Sequence, residues 1–185
     1  MRDHSTKGRL LLATPPLVDP NFDRTVVYML EHNEQGALGV VINRPTDEVE
    51  VDGLDAWCDL LSGPAVVFSG GPVEVGALIG LVWNEAAHPS TGGQSTDAGI
   101  STVDLREAPT EVAPVLDRFR LFRGYSGWSP GQLDAELEVG AWIVVAAEVG
   151  DVFCPDPDEL WRDVLRRQGG RLAWIANAPD DLSAN

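Results

Sequence analysis

The chain has 185 residues, 44% of them hydrophobic, which is enough for one domain whose core removes roughly 70% of the unfolded surface from water. Its formal net charge is −16, and Lys7 is the only lysine among thirteen basic residues, so the arginines are expected in planar pairs with Asp and Glu, which disfavours direct nucleic-acid binding. No apolar run approaches the roughly 18 to 20 residues of a membrane span. Cys58 and Cys154 form no Cys-x-x-Cys pair, and the polar opening from Met1 to Lys7 lacks the apolar segment of a secretory signal, so a soluble cytoplasmic protein with two reduced thiols is expected.

Arg9 to Ala13 is an apolar run stopped by Pro15 and Pro16, and reads as a buried strand. The β-branched and aromatic run Thr25 to Leu30 turns at Asn33 to Gly36 into Ala37 to Asn43, a hairpin pattern. Neither strand alternates cleanly between apolar and polar, which predicts a sheet covered on both faces. Leu54, Trp57, Cys58, Leu60 and Leu61 fall near helical spacing, and Gly63-Pro64 ends that short helix. Ala65 to Phe68 and Ala77 to Trp83 read as strands around Ser69-Gly70-Gly71-Pro72, and residues 84 to 99 as a long loop.

Thr110 to Arg118 is a helix candidate shortened or kinked by Pro114. Arg120 to Phe122 leads as a strand into Gly124, after which Ser129-Pro130-Gly131-Gln132 has the layout of a capping box and predicts a helix from Pro130 to Gly140. Trp142 to Ala147 is another buried strand. Asp156-Pro157-Asp158-Glu159 opens a helix whose face of Leu160, Trp161, Val164 and Leu165 runs to Gly169-Gly170. One domain spanning about residues 8 to 178 follows.

The familiar chemical constellations are missing. Ser126 sits in Gly-x-Ser-x-Trp, not the Gly-x-Ser-x-Gly of a nucleophile elbow. His4, His32 and His88 do not pair at metal-binding spacing, no phosphate-cradling glycine motif is present, and neither a cofactor nor a metal is expected. Cys154 is either a reactive thiol at a helix start or a buried inert one. His32, after Glu31, is a proton carrier or a polar turn residue. Ser69 to Pro72 is an anion-binding nest or a sterically tight turn. Arg44, held extended by Pro45, clamps a carboxylate or phosphate, or forms a buried ion pair. Tyr125, Trp128 and Gln132 line a pocket or pack into the core.

The ordered motifs Pro16, Asp19-Pro20, Phe22; His32 with Gly36-Ala37; Asn43-Arg44-Pro45; Gly70-Gly71-Pro72; and Gly124-Tyr125-Ser126-Gly127-Trp128 followed by Gly131-Gln132-Leu133 resemble the YqgE/AlgH family of bacterial proteins. The similarity runs from about Arg9 to Trp174 and is weakest near residues 84 to 109. It implies an α+β fold in which a mostly antiparallel, bifurcated sheet curls into a pseudo-barrel with helices packed outside. Members often carry the label of transcriptional regulator, by association with alginate control, but no biochemical activity is established for the family as a class.

The expectation drawn from both lines is a regulatory or binding protein acting through a protein partner or a small ligand. Its candidate ligand pocket comprises His32, Asn43, Arg44, Gly70, Gly71, Tyr125, Trp128 and Gln132. The alternatives are an enzyme of unassigned class using His32 and Arg44, and a direct transcriptional regulator drawing on Arg118, Arg120 and Arg123.

Overall fold

Three apolar segments near the N-terminus build the centre of one sheet. Strand β1 (Arg9–Ala13) pairs antiparallel with β2 (Val26–Asn33), which forms a hairpin with β3 (Gly36–Val41). The computed structural model describes residues 5–15, 17, 19–85, 98–110 and 112–177. Leu10 and Leu12 share a face with Val26, Tyr28 and Val40, while Leu11 and Ala13 share the other with Val27, Met29 and Val41, and all of these are buried. Coverage of both faces is why the strands carry no polar alternation.

Two groups of helices supply that coverage. Helix α4 (Leu160–Gln168) places Leu160, Trp161, Val164 and Leu165 against the Leu10 face, joined by Val152 of α3 (Val149–Val152) and by the α5 segment (Gly170–Ile175). Helix α2 (Gln132–Glu138) presses Leu133 onto the Leu11 face. A third cluster joins α1 (Asp55–Cys58), through Trp57, to Phe119 and Leu121.

The remaining strands are β4 (Phe68–Ser69), β5 (Val73–Trp83), β6 (Ser101–Val103), β7 (Arg118–Trp128) and β8 (Trp142–Ala146). The sheet order is β6-β5-β7-β3-β2-β1-β8, with β4 paired to β7 off that path. All pairings are antiparallel except β4 with β7, which is parallel. Strand β7 serves two partners along one edge: Gly127 and Trp128 pair with β3, whereas Phe122 and Arg123 pair with β4. The wedge is held by Val41 N–H donating to Gly70 O and Gly70 N–H donating to Arg123 O, each at 2.8 Å. The sheet ends at β6 and β8 and is not closed into a barrel.

Several expected boundaries move. The Ala65 to Phe68 strand shrinks to Phe68–Ser69, because Val67 bonds outward to Glu48 and Thr46 instead of extending a ladder. Strand β7 does not stop at Gly124 but runs through it to Trp128. The helix expected over 110–118 is a single 3-10 turn, Ala113–Val115, with Pro114 at its start. Helix α2 begins at Gln132, since Gly131 at φ 73° is left-handed. Strand β6 and helices α3 and α5 have no counterpart in the predicted elements, and most of the expected 84–99 loop lies outside the described residues.

Candidate functional site

The eight pocket residues read from the sequence fall into two groups near opposite ends of β3. Ala37 stands opposite both His32 and Trp128, and Arg44 lies seven positions further along the chain, past the end of β3 and the bend at Ile42 and Asn43.

At the Trp128 end the polar groups are committed to one another. The His32 side chain is 6% exposed; its Nδ1 accepts the Thr6 N–H at 3.2 Å, and its Nε2 faces Asp134 Oδ1 at 3.7 Å. A backbone N–H aimed at Nδ1 fixes that nitrogen as the acceptor and leaves the ring proton on Nε2. The indoles of Trp128 and Trp142 both donate to Glu136 Oε2, at 2.9 and 2.7 Å, and Gln132 Nε2 donates to Oε1 at 2.9 Å. Gln132 also accepts the Ser129 N–H at 3.0 Å, the glutamine half of the expected capping box. Phe22 meets the Trp142 ring edge-on at 5.4 Å. The assembly is a clamp that pins α2 to the sheet.

At the other end Asn43 acts as a piece of backbone: its Oδ1 accepts the Val26 N–H and its Nδ2 donates to Arg24 O, each at 2.9 Å. Arg44 Nη2 donates to the carbonyl of Asp23 at 2.9 Å, in place of the expected carboxylate. Gly70 and Gly71 exist for clearance. A Cβ on Gly70 would sit 2.3 Å from Gly124 O, and one on Gly71, at φ 149°, 2.3 Å from Tyr125 O. Tyr125 stands opposite Val73 on β5. The N–H groups of Ser69 and Gly70 are spent on Arg44 O and Arg123 O, which leaves the tight-turn reading of this segment over the nest.

Ser126 is fully buried and donates to Gly70 O, so it presents no nucleophile. The Cys154 thiol points at Asp156 O, and burial pushes its pKa up, the opposite of an activated cysteine. Among the described residues no group of His, Cys, Asp and Glu could hold a metal ion; His4 and His88 lie outside them. Among the described residues, Arg123 pairs with Glu48, Arg106 with Asp104, Arg166 with Asp163, and Arg167 with Asp151.

One reading is corrected, since Arg120, offered with Arg118 and Arg123 for a direct transcriptional regulator, is not on the surface, and one feature was missed. Arg120 is fully buried on β7, and its guanidinium donates to Gly63 O at 2.7 Å, Val152 O at 3.0 Å and Cys154 O at 3.2 Å, and lies 4.2 Å over the Phe68 ring. Burial without a carboxylate lowers its pKa to about 10, so it stays charged at neutral pH.

The missed feature is a cavity of about 1010 Å³. Its walls come from strands on both sides of β7: Leu30 of β2 and Leu38 of β3 on one wing, Leu78 and Ile79 of β5 on the other, with Ile100 just before β6. A register shift between Met29 and Glu31 inserts Leu30 as an extra residue. The bulge falls within the stretch Tyr28 to Glu31 that borders the cavity. At the mouth Lys7 Nζ pairs with Glu31 Oε1 at 2.6 Å, both side chains more than half exposed, and Arg9, Ser101 and Thr102 complete the rim.

The comparisons with known proteins can be set against this geometry. The family model DUF179, described as AlgH-like, matches residues 10–173. The chain belongs to the AlgH-like family. It is 50% identical over 191 residues to a UPF0301 protein of Streptomyces avermitilis, covering 98% of this chain and 96% of the relative. A UPF0301 protein of Streptomyces coelicolor is 49% identical with the same coverage. Among solved structures, the crystal structure of protein DIP2367 from Corynebacterium diphtheriae aligns with a TM-score of 0.82 at 28% identity, covering 96% of this chain and 95% of that one. The solution structure of the AlgH protein from Pseudomonas aeruginosa aligns at 0.65 and 27% identity over 98% of both chains. The resemblance read from the motifs is thereby borne out, and this AlgH-like chain shares its α+β architecture with both solved relatives. No helix among its described residues is long and apolar enough to cross a membrane.

Proposed function

We propose that this AlgH-like protein is a cytoplasmic binding protein whose ligand is a small molecule with both apolar and polar parts, held in the cavity between the two wings of the sheet. The observation that carries the reading is the cavity itself: about 1010 Å³, at the upper end of small-molecule sites, open on one side, with aliphatic side chains of β2, β3 and β5 and a polar share of the lining nearly as large as the apolar one. The bulge at Leu30 supports it, since bulges recur where a side chain must be re-aimed toward a site. Walls drawn from β2, β3 and β5 around one space also favour the expected curled form of the sheet.

A regulatory role follows if occupancy tightens the segment Ser5 to Arg9 against β6, because both border the mouth. The net charge of −16, with Arg123, Arg166 and Arg167 paired to acids, favours a ligand or protein partner over nucleic acid. Titration with Nile red tests the reading. Saturable enhancement of its emission is expected in the wild type, with affinity weakened about ten-fold or more in Leu38→Glu, which sets a charge in the apolar wall. A wild-type protein that leaves the emission unchanged would overturn the proposal.

A further inference from the structure

Resting on that reading of the cavity, we infer that its ligand is an amphipathic organic carboxylate, an acyl or aromatic body ending in a carboxyl group. The chain carries 29 acidic side chains against 13 Lys and Arg, so a rim with a cationic excess runs against its general character. Among the described residues that line this mouth, Lys7 and Arg9 face a single acid, Glu31. Lys7 is the only lysine in the chain. Arg9 makes no ion pair among the described residues.

The Lys7 to Glu31 pair does not close the site. Both partners are more than half exposed, and exposed pairs of this kind are weak enough that an incoming carboxylate exchanges for Glu31 at little cost. A ligand carboxylate at Lys7 Nζ would leave its apolar body to run between Leu30 and Leu38 on one side and Leu78, Ile79 and Ile100 on the other. Ser101 and Thr102 of β6 also line the cavity. A cationic amphiphile would meet two like charges, and a neutral one would leave the ammonium unrewarded.

Displacement of bound Nile red by three twelve-carbon competitors, each below its micellar concentration, separates these cases. Dodecanoate is expected to displace the dye at a concentration about five-fold lower than dodecanol, and dodecylamine to be the poorest of the three. Lys7→Gln should collapse the dodecanoate preference toward that of dodecanol, while Glu31→Gln, which removes the competing anion, should strengthen it. Circular dichroism of each variant guards against misfolding, and neither substitution touches the core. Equal displacement by all three compounds, or a preference unchanged in Lys7→Gln, overturns the carboxylate assignment while leaving the cavity a binding site. A wild-type protein that never binds the dye overturns both.

Discussion

Replacing Arg120 tests how this fold tolerates a buried charge with no counter-ion. In Arg120→Met the aliphatic stem is kept and the guanidinium is lost, so the carbonyls of Gly63, Val152 and Cys154 lose their donor. A buried acceptor left without a partner costs about 1–3 kcal/mol, which for three gives about 3–9 kcal/mol. Against this stands relief of the desolvation that lowers the Arg120 pKa from 12.5 to about 10, worth about 3 kcal/mol at 1.36 kcal/mol per unit. The difference spans about 0–6 kcal/mol, and the middle of that span, a destabilisation of about 2–4 kcal/mol, is the expected result.

Arg120→Lys gives the sharper comparison. It keeps the charge but replaces a planar fork by a compact, more strongly hydrated ammonium that cannot reach both the Gly63 turn and the end of α3. If hydrogen-bonded bracing is what Arg120 supplies, Lys should destabilise at least as much as Met. Urea unfolding followed by tryptophan emission would measure both, with melting temperatures expected to fall by about 5–15 °C. Recovery of wild-type stability in Arg120→Lys, or a Met variant within about 0.5 kcal/mol of wild type, would refute the bracing argument.

Gly71→Ala should cost about 2–4 kcal/mol, because its Cβ meets the Tyr125 backbone at 2.3 Å, whereas Gly131→Ala, with open space around it, should cost only the ~1 kcal/mol of a left-handed residue; equal losses in thermal melts would contradict the crossing argument. Glu136→Leu leaves the Trp128 and Trp142 indoles and the Gln132 amide without their shared acceptor, and a loss of about 2–4 kcal/mol with altered tryptophan emission is expected, while Glu136→Gln should retain part of it. The hydrogen bonds and charge of Arg123 hold the Glu48 carboxyl below its ordinary pKa, so their contribution is present above about pH 4.5 and is lost as pH falls through the depressed value. Both partners being about a third exposed, the effect is at most about 1 kcal/mol; acid unfolding of Glu48→Gln should show a shallower pH dependence than wild type in that window.

Legibility followed the range of the forces involved. The β2–β3 hairpin and α4 were readable because a short turn and an amphipathic face are local, and the structure keeps both nearly where the pattern put them. Gly124 misled because a glycine after an apolar run usually ends a strand, while here it clears the Gly71 carbonyl, which a Cβ would approach to 2.5 Å. The reason sits on another strand and leaves no local trace. Helix α3 is four residues long and opens where Glu148 N–H donates to Asp151 Oδ2 at 2.7 Å, too short to show periodicity. Trp128 and Gln132 were read as lining a pocket or packing into the core, and their shared partner Glu136 was invisible, because a glutamate on a helix reads as solvated surface until two indoles are found against it.

The cavity was the least legible feature, and the cause is topological. Its walls draw on Lys7, Leu30, Leu38, Leu78 and Ile100, from five separated segments, so no spacing rule links them. What brings them together is that β7 holds β5 on one edge and shares its other edge between β3 and β4. The parallel insertion of β4 takes the Phe122 to Arg123 stretch of that edge and confines β3 to Gly39 and its neighbours, so the β2–β3 wing leaves β7 at an offset from the β5–β6 wing. The glycines that mark the family therefore act on the cavity indirectly: Gly70, Gly71 and Gly124 allow the backbone crossing that makes the fork, and the fork separates the wings that line the space. On this argument a Gly71→Ala protein that still folds should bind Nile red more weakly than wild type although residue 71 lies outside the cavity wall, and unchanged binding would disconnect the motif from the site.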